Sequence, residues 1–197
     1  MATQNNVLPD CYLYISHLDA IDQVQYWQLP SYPDSVADAM NSSFQEQNAL
    51  GRSAPVYTFS NAGPRTVQID LKFHRDMFDE VNEGSGSNVK PKDDDDYADT
   101  FIRALQAIAV PKYNLSNKAI EPPLVAIRLG REVFIKGVVT SGISLTYSKP
   151  ILSNEKYAQV SVSFSVSEVD PYDATTVYEN GSFRGITATL REKMGMK

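Results

Sequence analysis

Histidine, cysteine, long apolar runs and excess positive charge are what this chain has least of, and each scarcity removes a class of function. Only two histidines, His17 and His74, occur in 197 residues. Neither stands in an H-x-x-x-H spacing or beside the cysteine, so the usual metal ligand and general base is almost absent. Cys11 is the one cysteine, which excludes an intramolecular disulfide and a cysteine-built zinc cluster. It alternates with Leu13 and Ile15 and so reads as a small buried hydrophobe rather than a nucleophile. No window approaches the ~20 consecutive apolar residues of a membrane-spanning helix. Residues 1–10 lack the basic stretch and apolar core of a signal peptide. The expectation is a soluble chain made in a reducing compartment, with no membrane partner. Against 24 Asp and Glu stand 18 Lys and Arg, a formal net charge of -6. A surface of that sign does not grip nucleic-acid phosphates nonspecifically.

What is present favours strands. Eleven tyrosines and eight phenylalanines, with many serines and threonines, suit pleated surfaces better than helical bundles. Over 66–74, Val67, Ile69, Leu71 and Phe73 alternate with polar residues, which predicts a strand with one wet face. Over 158–167, Ala158, Val160, Val162, Phe164 and Val166 alternate with Gln159, Ser161, Ser163, Ser165 and Ser167. Segments 124–129 and 132–139 flank Gly130-Arg131, read as a two-residue type II′ hairpin. Residues 143–147 alternate until Lys149-Pro150, and shorter candidates lie at 11–15, 24–29 and 55–59. One convincing helix is predicted over 97–109, with Phe101, Ile102, Leu105, Ile108 and Ala109 as its stripe, aspartates at its start and Pro111 at its end. A second, weaker helix is predicted over 35–40, capped by Asp34.

The chain length fits roughly one domain. The expected fold is α+β: an antiparallel β-barrel or sandwich with one packed helix and extended terminal arms, organised as a domain over 1–170 and a C-terminal arm over 171–197. Residues 82–96, Gly/Ser-rich and then acidic, are expected to form a flexible loop.

Enzyme chemistry finds no foothold. His74 falls on the polar face of its strand, the reading of a surface side chain. The run Asp93 to Asp96 offers oxygens, yet lacks the mid-loop glycine and distal glutamate of a helix-loop-helix calcium site; a solvated acidic run at a helix start is the better reading. Gly84 to Ser87 has no lysine of a phosphate-cradling loop. Tyr12, Tyr14, Tyr26 and Trp27 lack the basic neighbours of a base-stacking surface and are assigned to core or interface packing. No catalytic residue, metal site or cofactor is expected.

Three segments in fixed order then carry a resemblance. They are 51–73, where a small-residue turn with an arginine (Asn61-Ala62-Gly63-Pro64-Arg65) introduces the alternating strand ending in Phe73; 97–130, where the helix leads to Pro122-Pro123 and a strand closing on Gly130; and 133–170, with Phe134-Ile135-Lys136-Gly137-Val138-Val139 and a last strand closing on Glu168-Val169. This order resembles the tube-type domain of contractile injection systems and contractile-tailed phages, found in adaptors that join the tail tube to the baseplate hub. The resemblance spans approximately residues 24–170. After Asp170 too few residues remain for the peptidoglycan-binding module that many family members carry, and 34–50 is longer than the family pattern.

The resemblance implies a structural component of a phage tail baseplate. It would form a homo-oligomeric ring, a hexamer by preference, between the hub or spike and the tail tube protein, with DNA passing through without specific binding. Its location would be the virion, after assembly in the host cell cytoplasm. Ser144, Thr146, Gln159, Ser161, Ser163 and Ser165 are the expected lumen or subunit-interface residues. Uncharged and small, they suit a wall past which DNA slides. An ordinary solvent-facing sheet face explains the same pattern. The competing function is a monomeric carbohydrate- or receptor-binding β-domain presenting Tyr172, Tyr178 and Phe183.

Overall fold

The computed structural model describes residues 11–16, 24–48, 50–84, 86–92, 94–110, 112–113, 120–121, 123–170 and 172–181. His17, Asp93, Pro111, Pro122 and Phe183, and the sequence expectations attached to 1–10 and 182–197, lie outside these residues. In chain order the elements are β1 (Cys11–Ser16), β2 (Val24–Gln28), β3 (Val36–Ala39), β4 (Ser42–Gln47), β5 (Val56–Ala62), β6 (Thr66–His74), α1 (Arg75–Asn82), α2 (Tyr97–Ile108), β7 (Lys112–Tyr113), β8 (Ile120–Glu121), β9 (Val125–Leu129), β10 (Val133–Val139), β11 (Ser144–Ile151), β12 (Tyr157–Glu168) and α3 (Ala174–Asn180).

Eight strands form one antiparallel sheet in the order β2-β1-β9-β10-β12-β6-β3, with β11 also paired to β12. The α+β class is as expected, but the sheet does not close into a barrel, and the described residues hold three helices, two of them packed, where one packed helix was expected. The two terminal strands, β2 and β3, are not paired with each other. The outer edge of β2 is taken by the loop after α1: Gln28 N–H donates to the Gly86 carbonyl at 2.9 Å and Tyr26 N–H to Asn88 Oδ1 at 2.9 Å. At the other end β3 leads into β4, which pairs with β5 in a separate two-stranded sheet.

The sheet bends where β10 changes partner. Residues 133–137 pair with β9, whereas 137–139 pair with β12, so Gly137 stands opposite both Val125 and Glu168. Beyond it, Thr140 N–H donates to the Ser165 carbonyl at 3.1 Å and Ser141 Oγ accepts the Ser165 N–H at 2.8 Å. β11 then follows the first half of β12. A methyl group on Gly137 would lie 1.9 Å from the Ser167 carbonyl oxygen, so only glycine lets the two backbones cross this closely.

β6 realises its alternation residue for residue and β12 does so as far as Val166, with Val67, Ile69, Leu71 and Phe73 buried beside Val160, Val162, Phe164 and Val166. Against this face pack α1 and α2. Phe101 of α2 meets Trp27 and Phe73 with ring centroids 5.8 Å apart and Phe78 of α1 at 4.8 Å. Asp96 caps α2 by accepting the Asp99 N–H at 2.7 Å. Ala109 is the exposed C-cap residue rather than part of the buried stripe. Cys11 is fully buried in the core, as expected.

Four local readings are corrected. Residues 36–39 form a strand, not a helix, because Val36 pairs with Ile69 and Ala39 with Thr66 along the edge of β6; tertiary pairing overrides a marginal helical pattern. The β9–β10 turn holds three residues, since Leu129 faces Val133, with Gly130 at φ +59°. β11 continues through Lys149-Pro150 by a register shift against β12 between Ser148 and Ile151, and an edge strand can carry a proline. Ser167 is buried rather than wet, its hydroxyl bonded to Thr66 Oγ1 at 3.2 Å and Thr140 Oγ1 at 2.9 Å.

α1 has no counterpart in the sequence reading. Its last residue, Asn82, is fully buried, donating to the carbonyls of Gln28 and Phe78 at 2.9 and 2.8 Å while accepting the Gln28 N–H at 3.0 Å. The 82–96 segment is thereby tied to β2 at its start. After Asp170 comes the exposed helix α3, capped by Asp173 at the Thr176 N–H, 2.7 Å.

Candidate assembly surfaces

β11, β12 and β6 lay the six expected residues on the solvent face of the sheet. The register forms rows across three strands: Ser144, Ser163 and Asp70 in one, Thr146, Ser161 and Lys72 in the next, Ser148, Gln159 and His74 in a third. Ser165 stands beside Gln68 and beyond the reach of β11. Ser144, Thr146 and Gln159 are exposed, while Ser161, Ser163 and Ser165 are half-buried. The two central rows line a shallow depression of about 300 Å³ that Asp34 and Ser35 complete. The face is uncharged along β11 and β12 but not along β6, where Asp70 and Lys72 add one charge of each sign.

A second surface was not foreseen. β4 and β5 prolong β3 and β6 past the bend at Asn41 and Gly63, whose O and N atoms bond at 2.7 Å. The seven residues of β5 span roughly 20 Å at ~3.3 Å per residue. Phe44 pairs with Phe59 and Glu46 with Tyr57 on one face, Gln45 with Thr58 and Gln47 with Val56 on the other. The phenyl rings of Phe44 and Phe59 pack edge to face at 5.6 Å. Nonetheless Phe44, Tyr57 and Phe59 are 55%, 62% and 58% exposed. The sequence held a faint sign of this, aromatics alternating with polar residues, but exposed and buried aromatic faces share that pattern.

At the ribbon's root Arg65 is buried and satisfied. Its Nε and Nη2 meet the Asp38 carboxylate at 2.8 and 2.6 Å, Nη1 donates to the Phe134 carbonyl at 2.9 Å, and its own carbonyl accepts the Glu168 N–H at 2.9 Å. One arginine thus joins β3, β10 and β12 and fixes the direction in which the ribbon leaves, because a buried guanidinium is retained only where its donors are paired.

The acidic run is not simply solvated. Arg75 donates to Asp96 and Asp99 at 2.8 and 2.6 Å and to the Tyr157 carbonyl at 3.1 Å, and Lys156 donates to the same two aspartates at 3.3 and 2.5 Å. Asp95 pairs with Arg103. Burial alone pushes the Asp99 carboxyl up, but hydrogen bonds from Lys156 and Arg75 outweigh it and hold the group below the usual range. Asp79, whose oxygen accepts the Ala98 N–H at 3.1 Å, is pushed up to about 6 by burial and by the charge of Asp96. This network fastens α1 and α2 to the start of β12. Among the described residues no group of three His, Cys, Asp or Glu could hold a metal ion. His74 is partly exposed, 3.7 Å from Asp76. Tyr178 is almost fully exposed, and Tyr172 donates to Asp170 at 3.2 Å.

No family model matches the chain, and no curated protein does. Among solved structures, one similar chain belongs to the tail of an empty GTA particle refined with C6 helical symmetry. It shares 14% identity over 84% of this chain and 96% of that one, with a TM-score of 0.39.

Proposed function

We propose that this chain is a non-catalytic assembly subunit, a ring-forming structural protein of a phage-type tail, and that its place is the adaptor between tail tube and baseplate hub. The observation that carries the assembly role is the β4–β5 ribbon. A two-stranded ribbon is marginal by itself in water, and this one leaves three aromatics of one face uncovered. At ~150–250 Å² per aromatic side chain the open part amounts to roughly 300 Å², as large as the biggest apolar patch that many monomers expose. A ribbon of this kind is completed by a partner.

The order of sequence segments supports the tail assignment, and the Ser/Thr face supports the lumen assignment. In a ring of six copies, each with a formal charge of -6, the rows containing Ser144, Thr146, Gln159, Ser161, Ser163 and Ser165 line the passage or the adjoining subunit. DNA moves past without being held, since cations there are few. The tail tube protein and the hub or spike are the axial neighbours, and the virion is the location.

Cryo-electron microscopy of intact particles tests the reading: the chain is expected as a ring between tube and hub. Its absence from purified particles, with a monomeric mass by light scattering at all accessible concentrations, refutes it. Ser163→Arg adds one cation per subunit to the wall. The isolated variant should melt as wild type does, with Asp70 alongside to pair the guanidinium, while particle yield or infectivity falls. Normal, infectious particles would remove this face from lumen and interface alike.

A further inference from the structure

Resting on the assembly reading, we propose that the ribbon's aromatic face docks head-to-tail onto the far end of β11 and β12 in a second copy, with Glu46 of one copy paired to Lys149 of the next. Two observations on the same chain point there. The first is a second uncovered apolar patch. Tyr147, Ile151 and Tyr157 are 43%, 56% and 42% exposed, and the rings of Tyr147 and Tyr157 lie 6.1 Å apart. This patch sits where β12 begins, whereas the ribbon departs beside its end, at the Ser167 and Thr66 pair. The ten residues between place the two sites roughly 30 Å apart at ~3.3 Å per residue. The ribbon leaves from the end of β6 opposite to its own patch.

The second observation is charge. Glu46 lies in the aromatic face opposite Tyr57, and Lys149 lies in β11 between Tyr147 and Ile151. Both are exposed, and neither has an ionic partner among the described residues. A two-fold contact of ribbon on ribbon gathers two Glu46 carboxylates into one interface with no cation in either aromatic face, and patch on patch gathers two Lys149 ammonium groups with no anion. Each juxtaposes like charges beside apolar surface, which disfavours the pairing. Ribbon on patch brings opposite charges together and covers both aromatic faces. A contact between two different surfaces is heterologous and generates a closed ring or an open stack according to its rotation.

Charge reversal on the full chain tests this. Glu46→Lys and Lys149→Glu should each weaken self-assembly at least tenfold, read by mass photometry and sedimentation at low salt, and the double reversal should return it to within about threefold of wild type. A mixture of Phe59→Asp with Tyr147→Asp chains, each retaining one intact half-site, should stop at dimers. Thermal melts of the isolated chains should stay unchanged, because all four sites are exposed. If wild-type chains assemble but the single reversals assemble equally well, or the double variant is no better than the singles, the docking mode is wrong and the assembly reading stands. If wild-type chains never assemble and are absent from particles, both fall.

Discussion

Gly137→Ala is the sharpest test of how the sheet is bent. The added methyl would lie 1.9 Å from the Ser167 carbonyl oxygen, 2.6 Å from its carbon and 3.1 Å from the Glu168 nitrogen. All three are backbone atoms, so no side chain can turn aside. β10 and β12 must separate, which puts at risk the Gly137 and Glu168 pairing, the Glu168 N–H bond to Arg65 and the hydroxyl bonds of Ser167. Overpacking typically costs ~1–3 kcal/mol, and each ladder bond lost adds about 0.5–1.5 kcal/mol. Against this, alanine restricts the unfolded chain and returns about 0.4–1 kcal/mol. The net expectation is a loss of about 2–4 kcal/mol, a fall in Tm of roughly 5–15 °C for a chain of this size. Gly142→Ala is the matched control. Nothing lies within 4 Å of its methyl position, so it should be neutral or slightly stabilising. Urea unfolding followed by circular dichroism measures both. A Gly137→Ala variant as stable as Gly142→Ala would refute the close crossing.

Three further outcomes are expected. Leu105→Ala removes a fully buried side chain from α2 and should cost ~2–5 kcal/mol in the same unfolding assay; a loss under about 0.5 kcal/mol would mean that this face of α2 is not in the core. Val162→Arg, in contrast to Ser163→Arg, places an unpaired charge among Leu71 and its neighbours and should abolish folding, seen as loss of a cooperative melt. Asp79 binds its proton more tightly folded, at about 6, than at its ordinary 3.8, so the stability it contributes is present below about pH 4 and lost as pH rises through 6. Asp79→Asn should therefore raise Tm at about pH 7.5 and leave it unchanged near pH 4; partial exposure screens the effect to about 1 kcal/mol, or 2–4 °C. A variant that gains nothing at the higher pH would refute the burial argument.

How much was legible in the sequence follows from how local each signal is. β6, and β12 as far as Val166, could be read to the residue because one face is wet and one dry along those lengths. α2 was legible through its stripe and its aspartate cap. α1 was not: Phe78 is buried but Met77 is exposed, and eight residues carry too few apolar positions to form a period. It is held by the packing of Phe78 on Phe73 and Phe101 and by Arg75 and Asn82, which reach partners 21 or more residues distant at Asp96, Asp99, Gln28 and Tyr157. The six serine, threonine and glutamine positions could be assigned to one face from alternation alone. That Asp70 and Lys72 share their rows required the register.

The sequence by itself determined the strand-rich α+β character, most inward residues of the two central strands, the cap of α2 and the scarcity of histidine and cysteine, because all of these depend on composition or on spacing within a few residues. Tertiary structure alone decided that the sheet stays open, that β10 turns the corner at Gly137, and that Phe44 and Phe59 stand in solvent while Phe73 and Phe101 lie in the core. Identical side chains separate into core and surface only when distant segments compete to cover them. Here the 86–88 loop covers the edge of β2, α1 and α2 cover the apolar face of β6 and β12, and Phe44, Tyr57 and Phe59 of the ribbon stay exposed among the described residues.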